Sequence, residues 1–309
     1  MTPTAPDFPM NTPQLHHLSC TAPVPHCMAY WQWGDAQAAH TVVCVHGLSR
    51  QGRDFDVLAQ ALVERAGGAL RVVCPDVVGR GQSDFLADSQ GYQLPTYVAD
   101  MLELLAHLRP ASLDWVGTSM GGLIGMLLCA YAPTVGVQVR RLVLNDVGPA
   151  IEWQALQRIG QYLGKSGHFA SVQQAANAMW AVSSSFGPHT PAQWLALSQA
   201  MVKPVQEPSG QTVYALHYDP AIAQPFGATT EQQAKEGEAL LWQAYDAVTA
   251  QTLLLRGAQS DLLSTATAQQ MAGRGPRARL VEFEGVGHAP TLIAPDQIDA
   301  VAGFLLAEA

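Results

Sequence analysis

Short runs of apolar residues alternate with longer stretches of helical periodicity along most of this chain. The apolar runs are continuous, which is typical of strands with both faces covered, as in a parallel sheet. They cover 41–47, 70–79, 112–119, 140–148, 251–261 and 278–288, and the sequence AYWQWGD predicts a further strand before them. Helical patterns cover 54–66, 97–108, 120–132, 264–272 and 295–306. This succession predicts an α/β fold with a doubly wound, mostly parallel sheet.

The alternation stops between residues 149 and 248. Helical stretches rich in tryptophan follow one another there, interrupted by proline and glycine, and no clear strand is evident. We therefore predict a core domain made of residues 1–148 and 249–309, with residues 149–248 inserted as a helical cap. Such an insertion commonly covers a ligand cleft.

Composition narrows the classes of function. Of the 309 residues, 48% are hydrophobic and 13% are charged, and the formal net charge is -9. An acidic chain is a poor nucleic-acid binder, because affinity for phosphates depends on lysine and arginine. No apolar run reaches the roughly 18 residues of a membrane span, and the N-terminus has no signal-peptide pattern. We therefore expect a cytoplasmic protein that acts on a small molecule, with its oligomeric state open.

The cysteines and histidines point to no metal. The chain has five cysteines, an odd number, and none of them forms a C-x-x-C pair. Most fall in apolar runs, as expected for reduced, buried side chains. The histidines also lack ligand spacing. The sequence therefore predicts neither a metal site nor a cofactor.

The stretch GTSMGG, residues 117–122, joins a predicted strand to a predicted helix. Gly117-Thr-Ser119-Met-Gly121 matches G-x-S-x-G, in which a serine occupies a strained turn and its neighbours must be small. Open α/β sheets bind ligands at the carboxyl ends of their strands, where Ser119 is expected to lie. We interpret Ser119 as a nucleophile.

A serine nucleophile needs a base and an acid. His288, in the loop EGVGHAP after the last predicted strand, is the candidate base. Asp261 follows the preceding strand and gives the chain order serine, acid, histidine. Asp146 also ends a strand and is the alternative acid. We predict Asp261.

Two backbone N–H groups are expected to form an oxyanion hole. Met120 follows the nucleophile, and Leu48 follows His46-Gly47 in the loop after an early strand. His46 is expected to support that loop without transferring protons. Arg50 and Arg53 come next and are either a solvated pair or a clamp on an acidic substrate.

Over nearly its whole length the chain resembles the α/β-hydrolase superfamily, in its branch of serine esterases, enol-lactonases and C–C hydrolases. The matching segments are HGLS, PDVVGRGQSD, GTSMGG, RGAQSD and GVGHAP. The resemblance implies that residues 79–84 support the rim of the active site. It implies hydrolysis of a small carboxylic ester or lactone without a cofactor. C–C hydrolysis of a vinylogous diketone is the alternative, and a ligand-binding module without catalysis is a third possibility.

Overall fold

The strands of the protein form two sheets. The computed structural model describes residues 12–21, 24–165 and 167–308, so most of the N-terminal stretch examined for a signal peptide lies outside the described residues. The strands are β1 Gln14–Cys20, β2 His26–Gly34, β3 His40–Val45, β4 Arg71–Pro75, β5 Ser112–Thr118, β6 Arg141–Asn145, β7 His168–Phe169, β8 Val202–Gln206, β9 Thr212–Leu216, β10 Gln251–Gly257 and β11 Arg279–Phe283.

The larger sheet has eight strands in the order β1-β2-β4-β3-β5-β6-β10-β11. β1 and β2 pair antiparallel, as do β2 and β4, and every other pair is parallel. The predicted α/β fold with a mostly parallel sheet is confirmed. β1 was not predicted, because an edge strand with alternating exposure lacks the continuous apolar run of the central strands.

Helices cover both faces of this sheet. The helices of the described chain are α1 Asp56–Arg65, α2 Leu94–Leu108, α3 Met120–Tyr131, α4 Trp153–Tyr162, α5 Val172–Ser183, α6 Pro191–Gln199, α7 Ala223–Ala228, α8 Glu231–Ala247, α9 Thr265–Gly273 and α10 Pro295–Leu305. α1 and α10 pack on one face, and α2, α3 and α9 pack on the other. Neighbouring residues of β5 serve opposite faces: Trp115 belongs to one apolar cluster and Val116 to the other. The central strands read as continuous apolar runs for this reason.

The insertion at residues 149–248 contains α4 to α8 and the small antiparallel sheet β7-β9-β8. The expectation of no strand there was wrong. β8 and β9 are five residues each and are joined by a turn at Glu207–Gly210, and of the two β8 alternates in exposure. Such short strands, one of them containing Pro204, leave only a weak pattern in the sequence. The division into core and cap domains stays a prediction.

The insertion is fastened to the core at residues 79–81. Gly81 N donates to His217 O (2.9 Å), and Asp219 N donates to Gly79 O (2.8 Å). Tyr92 Oη donates to Asp219 Oδ2. These bonds fix the insertion over the carboxyl ends of the parallel strands. Within the described part of the chain, the helices are too short or too polar to traverse a bilayer.

Candidate active site

Ser119 occupies a sharp turn between β5 and α3. Its φ of 52° lies in the left-handed region, which is costly for a residue with a side chain. The turn is held by a bond from Ser119 N to Asn145 O (3.0 Å) on neighbouring β6. A Cβ at Gly117 would collide with the carbonyl of Gly121, and one at Gly121 with the carbonyl of Val45. The glycines are therefore required by the close approach of backbone to backbone.

His288 connects Ser119 to an aspartate. Its Nε2 lies 3.0 Å from Ser119 Oγ, and its Nδ1 lies 2.8 Å from Asp146 Oδ2. A carboxylate only accepts, so Nδ1 carries the proton and Nε2 is free to accept from the serine hydroxyl. The structure therefore brings Ser119 and His288 together as predicted, and it adds Asp146.

Asp146 follows β6 directly and is fully buried. Its φ of 55° makes it the second left-handed residue at a strand end of the site. Besides His288, its carboxylate accepts bonds from Gly257 N (2.9 Å) and Ser260 Oγ (2.6 Å). A buried carboxylate with this many donors is well compensated for its lost hydration.

The prediction that Asp261 is the partner of His288 is corrected to Asp146. Asp261 forms a bidentate ion pair with Arg158 of α4, at 2.6 and 2.9 Å, and its side chain is 49% exposed. The physical reason is the path of the loop after β10. It turns Gly257 and Ser260 toward Asp146 and directs the next residue toward α4 and solvent.

The loop that carries the predicted oxyanion donor Leu48 lies against Ser119, the predicted nucleophile. A Cβ at Gly47 would be 3.6 Å from that of Ser119. His46 supports this loop from below: Val77 N donates to Nε2 (2.9 Å), and Nδ1 donates to Gly47 O (2.7 Å). Burial lowers the pKa of His46 to about 3, so the ring stays neutral. The other predicted donor, Met120, begins α3, where the helix dipole favours negative charge.

Arg80 is a functional candidate that sequence reasoning missed. It is completely buried and donates to Leu48 O (2.8 Å) and to Tyr97 Oη (3.0 Å). Its Nη2 lies 3.6 Å from Met120 Sδ. One guanidinium thus contacts both residues of the predicted oxyanion hole. The signal was the segment GRGQSD, which the family resemblance marks only as a support for the rim of the active site.

The two arginines predicted as substrate contacts are both paired. Arg50 lines the cavity above Ser119 but forms a bidentate ion pair with Asp54, at 2.7 and 2.6 Å. Arg53 is bound to Asp56 and stacks over Trp31, 4.6 Å from the ring centroid. Arg53 borders neither cavity that reaches Ser119, so these cavities give no support to its predicted contact with substrate, which stays a prediction.

Two cavities meet at Ser119. The first, of about 310 Å³, also contains His288 and is roofed by the insertion. The second, of about 600 Å³, contains Leu48, Met120 and Phe226. Both are lined mainly by apolar side chains. Ser119 therefore lies between two chambers, each of which can hold part of a bound molecule.

The cap tryptophans contribute little to these walls. Trp180 and Trp194 stack edge to face, 5.0 Å apart, and Trp242 packs on Tyr245. Among the described residues, one group of metal-ligating side chains comes together, namely Cys20, His26 and Asp100. It borders neither of the two cavities that reach Ser119.

Comparison with known proteins identifies the family to which the chain belongs. A model of the alpha/beta hydrolase family matches residues 42–303. A 3-hydroxybutyrate-oligomer hydrolase from Cupriavidus necator is 47% identical over 95% of this chain and 98% of its own length. A 2-hydroxymuconate semialdehyde hydrolase from a Pseudomonas species is 24% identical over 89% of each chain.

A solved structure agrees. The crystal structure of an alpha/beta hydrolase from Novosphingobium aromaticivorans has a TM-score of 0.79 and 34% identity to this chain, and it covers 95% of this chain and 98% of its own. The chain therefore belongs to the alpha/beta hydrolase family and is a hydrolase of that type.

Proposed function

We propose that this protein is a serine esterase that cleaves short oligomers of a hydroxy acid through an acyl-enzyme. The observation that carries the proposal is the 3.0 Å contact between His288 Nε2 and Ser119 Oγ at the wall of a mainly apolar cavity. The substrate class is supported by the 47% identity to the 3-hydroxybutyrate-oligomer hydrolase over almost the full length of both chains.

The reaction begins at Ser119. Its oxygen attacks the ester carbonyl while its proton passes to His288 Nε2, and Asp146 stabilises the imidazolium that forms. The tetrahedral oxyanion accepts bonds from the N–H groups of Leu48 and Met120. Collapse releases the alcohol, which takes the proton from His288. Water then hydrolyses the acyl-enzyme with His288 as base, yielding a carboxylic acid and restoring Ser119.

Arg80 acts in this scheme as a positioning residue. Its bond to Leu48 O orients the peptide that carries the oxyanion loop, and its Nη2 contacts the side chain of Met120. Its guanidinium is buried between the rings of Tyr92 and Tyr97, which holds it in place. The charge also adds a positive field near the developing oxyanion.

The chambers fit an oligomer with small apolar units and one free carboxylate. Three cations border the first chamber: Arg50, Arg158 and Lys165. Arg50 and Arg158 are neutralised by aspartates, whereas no ion pair of Lys165 occurs among the described residues. Lys165 is exposed and is therefore the cation available to a terminal carboxylate.

C–C hydrolysis of a vinylogous diketone is the second candidate. It is favoured by the similarity to the 2-hydroxymuconate semialdehyde hydrolase. It would use the same Ser119 and His288 after ketonisation of the dienol. A lactone would react by the same steps as a linear ester, so only activity measurements with both kinds of substrate distinguish a lactonase from an esterase.

The test combines covalent labelling with a substrate panel. We expect a fluorophosphonate probe to add one label to the wild type and none to Ser119→Ala, with Ser183→Ala as the control because Ser183 lines the same cavity. The panel holds a linear trimer of 3-hydroxybutyrate, an enol-lactone and a ring-cleavage dienoate. Turnover of the trimer above the others supports the proposal. An unlabelled wild type, or preference for the dienoate, contradicts it.

Lys165 gives a finer readout. Lys165→Met should raise KM for the free-acid trimer and leave KM for its methyl ester unchanged. An equal effect on both substrates would remove Lys165 from carboxylate binding without affecting the role of Ser119.

A further inference from the structure

A buried cluster of three metal-ligating side chains lies behind the active site. Cys20 ends β1, His26 begins β2, and Asp100 lies in α2. One ligand atom from each residue lies within 4.8 Å of those from the other two. The side chains of His26 and Asp100 are 3% and 0% exposed, and Cys20 is 1% exposed.

The tautomer of His26 is fixed by the backbone. Its Nδ1 lies 2.8 Å from Val24 O, and because a carbonyl only accepts, Nδ1 must carry a proton. The neutral ring therefore presents a lone pair at Nε2. That nitrogen lies 3.2 Å from Asp100 Oδ2, so a cation, either a proton or a metal ion, is needed between these two acceptors. A histidine metal ligand is commonly held in this way through its other nitrogen.

The atoms that face one another lack hydrogen-bond partners. Within the described residues, His26 Nε2 and both carboxylate oxygens of Asp100 are buried and make no hydrogen bond, although Nε2 and Oδ2 lie within ion-pair distance of each other. Leaving a buried polar group without a hydrogen bond destabilises the folded protein, and more so when the group is charged. A cation between them would satisfy all three atoms at once.

Hydrogen bonds next to the cluster hold the segments that carry its residues. Thr21, next to Cys20, donates through N (3.0 Å) and Oγ1 (2.8 Å) to Glu103 Oε1. Glu103 lies one turn after Asp100 on α2, so the same helix that supplies one ligand also holds the backbone beside another. The positions of Cys20 and Asp100 are thereby coupled.

We propose that Cys20, His26 and Asp100 bind one divalent transition-metal ion of the zinc class. Thiolate, imidazole and carboxylate are the donor set of tetrahedral zinc sites, with water in the fourth position. The site ties the β1–β2 hairpin to α2. It is structural, because none of its three residues borders the cavities at Ser119.

A chain of contacts connects the proposed metal site to the oxyanion loop. α2 carries Tyr97, whose hydroxyl accepts from Arg80, and Arg80 holds the Leu48 carbonyl. Fixing α2 therefore fixes the outer support of the oxyanion loop. This consequence rests on the proposed function, whereas metal binding itself does not.

The experiment measures metal on the whole protein, stripped with a chelator and then titrated with Co²⁺ and Zn²⁺. We expect one Co²⁺ per chain with thiolate-to-cobalt absorption, displaced by Zn²⁺, and a Tm raised by Zn²⁺. Cys20→Ser should lose the thiolate band. It should also weaken zinc binding by more than the roughly 10- to 100-fold typical of an outer-shell loss.

Cys129→Ser is the matched control, since Cys129 is buried on α3 and free. It should bind metal as the wild type does. Absence of stoichiometric binding in the wild type would overturn the proposal and leave a proton as the occupant of the cluster. Unchanged binding in folded Cys20→Ser and Asp100→Asn, verified by circular dichroism, would also overturn it.

Discussion

The neighbouring strands β6 and β10 are each followed by an aspartate, and the two side chains differ in almost every physical respect. Asp146 comes directly after β6, is completely buried, and accepts bonds from three donors. Asp261 lies beyond the end of β10, is half exposed, and is bound to Arg158. Both follow a strand in the sequence, yet only one faces His288.

The difference lies in how each loop leaves the sheet. The residue directly after a strand is still fixed by the neighbouring strands: Asp146 N donates to Leu255 O of β10 at 2.8 Å. The loop after β10 then supplies donors to Asp146, from Gly257 and Ser260. Two residues of the segment RGAQSD, Gly257 and Ser260, therefore donate bonds to Asp146, while the aspartate of the segment, Asp261, pairs with Arg158. Chain order alone cannot separate these two arrangements.

The largest expected effect comes from replacing each of the two aspartates, in turn, by asparagine. Asp146→Asn should lower kcat by about 10²–10⁴, because His288 then loses the partner that fixes its tautomer. Asp261→Asn should change kcat less than about threefold, since a half-exposed pair contributes little. Steady-state hydrolysis with circular dichroism as a fold control decides between them. An inactive, folded Asp261→Asn beside an active Asp146→Asn would reverse the assignment.

His46, the residue after β3, lies at a third strand end of the site and is expected to affect the stability of the protein. His46 is buried there, and its pKa falls from 6.5 to about 3, mainly through burial. Below pH 6.5 the unfolded chain takes up a proton that the folded chain refuses, so the free energy of unfolding decreases as pH falls. From this group we expect a loss of about 2–3 kcal/mol between pH 6.5 and roughly pH 4.5.

Urea denaturation of wild type and His46→Gln at both pH values measures this loss. The variant should be less stable near neutrality and should lose less stability in acid. His17→Gln is the control, because His17 is exposed and its replacement should leave the pH dependence unchanged. Parallel pH profiles of wild type and His46→Gln would contradict the assignment.

A smaller effect is expected from the donor that the β10 loop gives to Asp146. Ser260→Ala removes a 2.6 Å bond to the carboxylate and should lower kcat by about tenfold, since a bond to a charged group contributes about 1.5–3 kcal/mol. Gln259→Ala, in the same loop, should leave kcat unchanged. If both variants behave alike, the loop acts through its backbone and not through Ser260.

The smallest effect concerns the exposed pair itself. A double-mutant cycle with Arg158→Ala and Asp261→Asn should give a coupling free energy below about 1 kcal/mol in thermal or urea unfolding. The coupling should decrease further at high salt. A coupling of several kcal/mol would mean that this pair holds the insertion to the core, and Asp261 would regain importance as a structural residue.

The sequence predicted the fold because the central strands are buried on both faces. Continuous apolar runs such as that of β6 report this burial directly. Ser119 was found because Gly117 and Gly121 beside it are required by close backbone packing, which leaves a readable motif. His288 was found because it lies in a glycine-containing loop after the last predicted strand. Their contact agrees with the prediction, and their catalytic roles stay proposals.

Where the structure departs from the predictions made from sequence, the causes are also tertiary contacts. Asp146 and Asp261 differ in how their loops turn, which depends on tertiary hydrogen bonds that a sequence does not display. Arg53 lies three residues from Arg50 but points to Trp31 on another element. Arg80 acts through backbone carbonyls and tyrosines, partners that carry no opposite charge and hence no charge pattern.

The crowded glycines of the elbow also bear on how this protein can change over evolution or under directed selection. No side chain fits at Gly117 or Gly121 without displacing a carbonyl of the sheet or helix. The turn that holds Ser119 therefore does not tolerate substitution at either glycine. The walls of the first chamber from the insertion, such as Met179, Val182 and Leu197, have no such constraint. New substrate ranges are therefore accessible by substitution in the insertion, while the reaction chemistry is inherited unchanged.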